Sequence, residues 1–145
     1  KDDRVVEPLA AVIKHHSALD RVCLGSFSDR RLVRCRRLLG PDLCTSAGPA
    51  AIVRFRLSSF GFPVGPDGPP KGPDCLQVPV RQSGIPLVDR RFVHHAHQRG
   101  LHVHVWTIDD PEEMHRLLDL GVDGIMTDSP STLRTILMER DVWSS

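Results

Sequence analysis

The sequence predicts an α/β protein assembled from repeated β/α units, and three observations carry that expectation. Short apolar runs alternate with amphipathic stretches along most of the 145 residues, the pattern of parallel strands joined by helical crossovers. Helix start and stop residues punctuate the same stretches, with Ser28, Asp110 and Ser129 as starts and Gly40, Gly100 and Gly121 as stops. Residues 101–107 alternate polar and apolar side chains with period two, as a half-buried strand does.

Taken in order, Val5, Leu9, Val12 and Ile13 recur at helical spacing, so the chain opens on a helix. Residues 21–27 read as a buried strand running into a loop. Ser28 then caps a helix that places Leu32, Cys35 and Leu39 on one face and stops at Gly40-Pro41. A short strand over 42–45 and a helix over 49–58 follow. Residues 61–73 are so dense in Gly and Pro that neither helix nor strand persists. They are expected to form a surface loop at about 61–74 between two units; a domain boundary is the alternative, but the β/α rhythm resumes directly afterward.

Residues 76–79 are the next strand, and Phe92, Val93 and Ala96 mark a helix ended by Gly100. The strand over 101–107 sets His102, His104 and Trp106 on one face. In the helix after it Asp110 is the N-cap, Pro111 opens the first turn and Glu113 holds the capping-box position, with Met114, Leu117 and Leu118 inward. Residues 122–128 form the last strand, and Ser129-Pro130 opens a terminal helix with Leu133, Ile136 and Leu137 on its core face.

Five parallel strands with helices on one side leave both sheet edges bare, whereas eight closed into a barrel leave none. A complete (β/α)8 barrel takes ~250 residues. The expected fold is therefore α/β of the (β/α)8 TIM-barrel type, present as a partial barrel of about five β/α units with its first three strands missing.

With 19 Lys plus Arg against 18 Asp plus Glu, the formal charge is +1. Spread along the chain, these charges offer no basic face for nucleic acid and no polybasic membrane segment. No apolar run approaches the ~20 residues of a membrane span. Cys23, Cys35, Cys44 and Cys75 include no C-x2-C pair and no His at zinc spacing, and reduced buried thiols are expected. The chain opens Lys1-Asp2-Asp3-Arg4 without a signal-peptide pattern; the compartment stays open, with the cytoplasm slightly favoured.

In a parallel β/α barrel the active site forms at the C-terminal ends of the strands. Those positions are Ser26 and Phe27, Thr45 and Ser46, Gln77 and Pro79, Trp106 and Thr107, and Thr127 and Asp128. With one carboxylate, the set can line a pocket but cannot alone hold a divalent cation. His94 and His95 are expected on an exposed helix face, His104 as a hydrogen-bonded interior residue, and Asp128 as a support for the helix start. Asp109 and Asp110 look like a carboxylate pair, but the helix cap accounts for Asp110.

Trp106-Thr107-Ile108-Asp109-Asp110-Pro111, followed by Leu117-Leu118-Asp119-Leu120-Gly121-Val122-Asp123-Gly124-Ile125-Met126-Thr127-Asp128-Ser129-Pro130, resembles the last two units of the glycerophosphodiester phosphodiesterase family. Gly25-Ser26-Phe27-Ser28 is similar to that family's Ser-Phe strand end, and Leu76-Gln77-Val78-Pro79 to the strand before its tryptophan strand. The likeness is most specific over residues 89–137. It implies a phosphoric diester hydrolase that releases glycerol 3-phosphate and an alcohol, using Mg²⁺ or Ca²⁺ and two histidines as acid and base. The family's His-Arg-Gly, His-Asp and Glu-x-Lys elements do not occur in this sequence, and none of its predicted strands carries the Glu-x-Asp element, so the resemblance implies no catalytic residue and no metal ligand in this chain. It carries over a substrate wall of Trp106, Phe27, Ser26 and Gln77, with core packing the alternative for Trp106 and Phe27.

Three readings follow: a C-terminal portion of a phosphodiesterase, inactive alone; a non-catalytic β/α module that binds a phosphorylated ligand or self-associates through its open edge; and a sphingomyelinase D-like phospholipase barrel.

Overall fold

The structure, a computed structural model, describes residues 2–62, 72–82 and 84–143. Most of the expected Gly/Pro loop, residues 63–71, lies outside the described residues. The elements in order are α1 (Val6–His15), β1 (Cys23–Leu24), α2 (Asp29–Leu39), β2 (Cys44–Thr45), α3 (Pro49–Ser59), β3 (Cys75–Pro79), β4 (Arg81–Gln82), β5 (Ile85–Pro86), α4 (Arg90–His97), β6 (His102–Trp106), α5 (Pro111–Leu120), β7 (Gly124–Ile125) and α6 (Pro130–Glu139). They form two compact units, residues 1–76 and 77–145.

In the first unit β1 and β2 pair in parallel, Cys23 opposite Cys44 and Leu24 opposite Thr45, and Ser46 bridges to Cys75 at the start of β3. Parallel partners point to the same side of the sheet, so each strand turns alternate residues in opposite directions. Leu24 joins a core of Val6, Cys35 and Leu43 bordered by Leu19, Val22 and Leu39, while Cys23 and Cys44 point the other way. Ser28 caps α2 as expected, accepting from the Arg31 N–H at 3.4 Å.

All four cysteines are free thiols, as the sequence implies, but Cys23 is exposed and not buried. Its sulfur lies 3.7 Å from that of Cys75. Burial pushes these thiols upward, that of Cys44 to about 11, so they stay protonated and unreactive at neutral pH.

In the second unit β6 is the central strand of the order β3-β6-β7 and runs parallel to β7. Val103 and Val105 are fully buried, as are Phe92, Met114 and Leu117 on the neighbouring helices. His104 and Trp106 alternate to the opposite, half-buried face. Gly124 sits across from His104, and a Cβ there would stand 2.9 Å from the His104 ring, so the close pairing requires glycine.

Asp123 ties the lower ends of β6 and β7 together. One carboxylate oxygen accepts the Val103 N–H at 2.7 Å and meets His97 Nε2 at 2.9 Å, while the other lies 3.5 Å from His102 Nδ1. Burial alone would raise this carboxyl, but the Val103 N–H and then His97 and His102 outweigh it and hold it below the ordinary carboxylate value.

The helix starts fall where the sequence sets them. Asp110 accepts the Glu112 N–H at 3.3 Å, and Gly121 closes α5 in the left-handed conformation at φ 85°. Glu113 departs from its capping-box role: it turns to Arg116 in a two-pronged pair with both contacts at 2.6 Å. That charged, doubly bonded geometry is worth more than one further backbone contact. The β4–β5 hairpin, antiparallel with Gln82 opposite Ile85, is absent from the sequence reading because two-residue strands leave no periodic signal.

Two outcomes test this packing. Phe92→Ala should cost about 3–5 kcal/mol in urea unfolding, as for a fully buried aromatic. Because Asp123 is lowered in the folded state, its stabilisation is present above the unfolded carboxylate value of about 3.9 and is lost as pH falls through the folded value. Asp123→Asn should therefore cost about 1–2 kcal/mol at pH 7, and the gap to the unsubstituted chain should close as pH is lowered.

Candidate functional site

The residues expected at the wall fall into the two units. Ser26 and Phe27 follow β1 in the first. Ser26 is half-buried and its hydroxyl accepts the Ser28 N–H at 3.2 Å, shaping the turn into α2. Phe27 is 66% exposed and takes no part in that unit's core.

Gln77 and Trp106 belong to the second unit, on the adjacent strands β3 and β6. Leu76 and Val78 are fully buried, which leaves Gln77 and Pro79 on the alternate face, half-buried like His104 and Trp106. The structure thus brings Gln77 and Trp106 to neighbouring strand ends. His104 stacks loosely on His102, with ring centroids 6.4 Å apart. Burial lowers the His104 imidazole below its ordinary value, which keeps it neutral at pH 7. The hydrogen bond expected for it is not made among the described residues.

A feature that the sequence did not reveal lies just beyond these strand ends. A cavity of about 500 Å³ opens between the segment after β3, with Val80, Arg81, Pro86 and Val88, and the segment from Thr107 to Arg116. Its size falls within the 300–1,000 Å³ of small-molecule sites. The β4–β5 hairpin builds one side, held by Leu87 N–H to Val80 O at 2.8 Å, and α5 builds the other. The only sequence signal was the Ser83-Gly84 dipeptide, a turn former.

The carboxylates on this cavity are committed to structure. Asp109 Oδ1 accepts the Thr127 hydroxyl and the Asp128 N–H, both at 2.8 Å. Asp110 caps α5, and Glu113 is held below its ordinary value first by its hydrogen bonds to Arg116. Thr127 Oγ1 in turn accepts the Ser129 N–H at 2.9 Å. The support at the start of α6 therefore comes from Thr127 and Asp109, in place of the expected Asp128 side chain.

The cavity lining holds no histidine or cysteine, and Trp106, Gln77, Ser26 and Phe27 are not part of it. Among the described residues no three His, Cys, Asp or Glu side chains stand where they could share a metal ion. The described residues therefore do not fit a divalent cation. No helix among the described residues is long and apolar enough to cross a membrane.

A profile described as the Glycerophosphoryl diester phosphodiesterase family matches residues 2–132. The chain is 39% identical over 142 residues to the Probable glycerophosphodiester phosphodiesterase 2 of Mycobacterium tuberculosis, covering 95% of this chain and 53% of that protein. It is 27% identical over 143 residues to the Glycerophosphodiester phosphodiesterase of Bacillus subtilis, covering 88% and 42%. A crystal structure from Silicibacter pomeroyi, of a protein assigned as a glycerophosphoryl diester phosphodiesterase, superposes with a TM-score of 0.74 at 27% identity, covering 98% of this chain and 46% of that one. The fold class is that of the TIM barrel, and the chain spans about half the length of these proteins.

Removing the Asp109 tie should loosen both loops at once. Asp109→Ala is expected to lower stability by about 1–2 kcal/mol, since two donors lose one acceptor, and to speed hydrogen exchange at the Asp128 amide. An unchanged Asp128 exchange rate would show that the tie does not hold the loop.

Proposed function

The chain belongs to the Glycerophosphoryl diester phosphodiesterase family, and from that premise we propose that it is the C-terminal portion of a glycerophosphodiester phosphodiesterase. The longer protein would hydrolyse a glycerophosphodiester to glycerol 3-phosphate and an alcohol. The match over residues 2–132 is the observation that carries this reading.

In this reading the chain supplies the substrate wall and not the chemistry. Trp106 lays an aromatic face against the glycerol or head group and Gln77 offers an amide beside it, while the family resemblance assigns Ser26 and Phe27, after β1, to the substrate as well. Hydrolysis needs a proton delivered to the leaving oxygen and the phosphate charge compensated. Both tasks fall to residues outside this chain, and a divalent cation, Mg²⁺ or Ca²⁺, is part of the proposal for the longer protein.

The test is release of glycerol 3-phosphate from glycerophosphocholine, with and without Mg²⁺ or Ca²⁺. The purified 145-residue chain should release none above buffer, and metal-stimulated turnover by it would overturn this division of labour. In a longer form that carries the acid, base and metal ligands, Trp106→Ala should lower kcat/KM about tenfold, the scale of a lost aromatic contact. An unaltered kcat/KM would return Trp106 to a packing role.

A further inference from the structure

The cavity beyond the ends of β3 and β6 carries polar groups that the fold does not use. On the α5 side, Asp109 and Asp110 commit one oxygen each to structure, Oδ1 in both cases. Their Oδ2 atoms accept no hydrogen bond among the described residues, and the Thr107 hydroxyl makes none. On the hairpin side stands Arg81, whose guanidinium reaches only the Gly84 carbonyl, at 3.4 Å, among the described residues. Glu113 feels the Arg81 charge, but both of its oxygens are held by Arg116. Val80, Pro86, Val88 and Ile108 complete the lining with apolar surface.

Acceptors without donors on one side and a donor without an acceptor on the other suit a ligand that bears both charges. An ammonium compensates the charge of a carboxylate as well as hydrogen-bonding it. A carboxylate in turn matches a guanidinium, whose planar fork holds it by two parallel bonds. Other ligand classes satisfy less of this set. A quaternary ammonium has no N–H to give, and the lining offers it no aromatic face. A plain amino alcohol serves the acidic side and leaves Arg81 unused. A polyol reaches every group but compensates neither charge. The cavity also adjoins the substrate wall through the chain itself, since Val80 follows Pro79 at the end of β3 and Thr107 follows Trp106 at the end of β6.

We propose that this cavity receives the alcohol of the diester and selects one that carries both an ammonium and a carboxylate, as serine does. Asp109 and Asp110 take the ammonium, Arg81 takes the carboxylate, and the glycerol phosphate lies toward Trp106 and Gln77. The source of the ligand rests on the phosphodiesterase reading. The selection is read by binding and not by turnover, so the two can fail separately.

The experiment is calorimetric titration of the 145-residue chain with glycerophosphoserine, glycerophosphoethanolamine, glycerophosphocholine and free serine. Glycerophosphoserine should bind about tenfold tighter than glycerophosphoethanolamine, the scale of one charge-assisted contact, and glycerophosphocholine should bind weakest. Arg81→Gln should remove the serine margin and leave glycerophosphoethanolamine binding unchanged; Arg81 is exposed, so the variant keeps its fold. Asp109→Asn combined with Asp110→Asn should weaken both amine ligands about tenfold. Asparagine keeps the Oδ1 acceptor at each position, and circular dichroism should show this variant folded. Equal binding of the three diesters, binding of none, or a serine margin that survives Arg81→Gln would overturn the proposal. Free serine binding as tightly as glycerophosphoserine would overturn the assignment to the diester, because the cavity would then serve a free amino acid.

Discussion

The register between β6 and β7 is the constraint on which the second unit depends. A slip of one residue would turn Val103 and Val105 out of the core and bring His104 and Trp106 into it, because side chains alternate with period two. The pair is short, so its few ladder bonds cannot enforce that register unaided. Asp123 secures it at the start of the strands and Asp109 at their end. Gly124 adds a steric condition, since only a residue without Cβ fits against the His104 ring. Two carboxylates that look available for chemistry therefore set where Trp106 stands.

This arrangement explains why the candidate site is a wall. The titratable side chains near the strand ends are engaged in caps, loop ties or pairs, and His104 is held neutral by burial. Gln77 and Trp106, half-buried at adjacent strand ends, are amide and aromatic groups, whose chemistry is that of orientation. The cavity beside the strand ends enlarges that wall, formed by the hairpin on one side and the first turns of α5 on the other.

In the first unit charge is distributed differently. Its helices α1 and α2 are linked by the Arg34–Glu7 ion pair, and Arg31 of α2 pairs with Asp3 just ahead of α1.

The sequence by itself determined the order of the six helices and of the five strands other than the hairpin, the helix caps at Ser28 and Asp110, the stop at Gly121 and the alternation of β6, because each rests on hydrogen bonds or periodicity within a few residues. It also carried the family, through the Trp106 and Asp123-Gly124 segments. Only the tertiary structure decided which polar groups meet: Asp109 with Thr127, Asp123 with His97, Glu113 with Arg116 in place of its cap, and Cys23 with Cys75 across 52 positions. It alone decided that Cys23 is exposed and that a hairpin follows β3. The physical reason is range. Propensity and capping act along the chain, whereas burial and carboxylate pairing depend on which distant segments fold against one another.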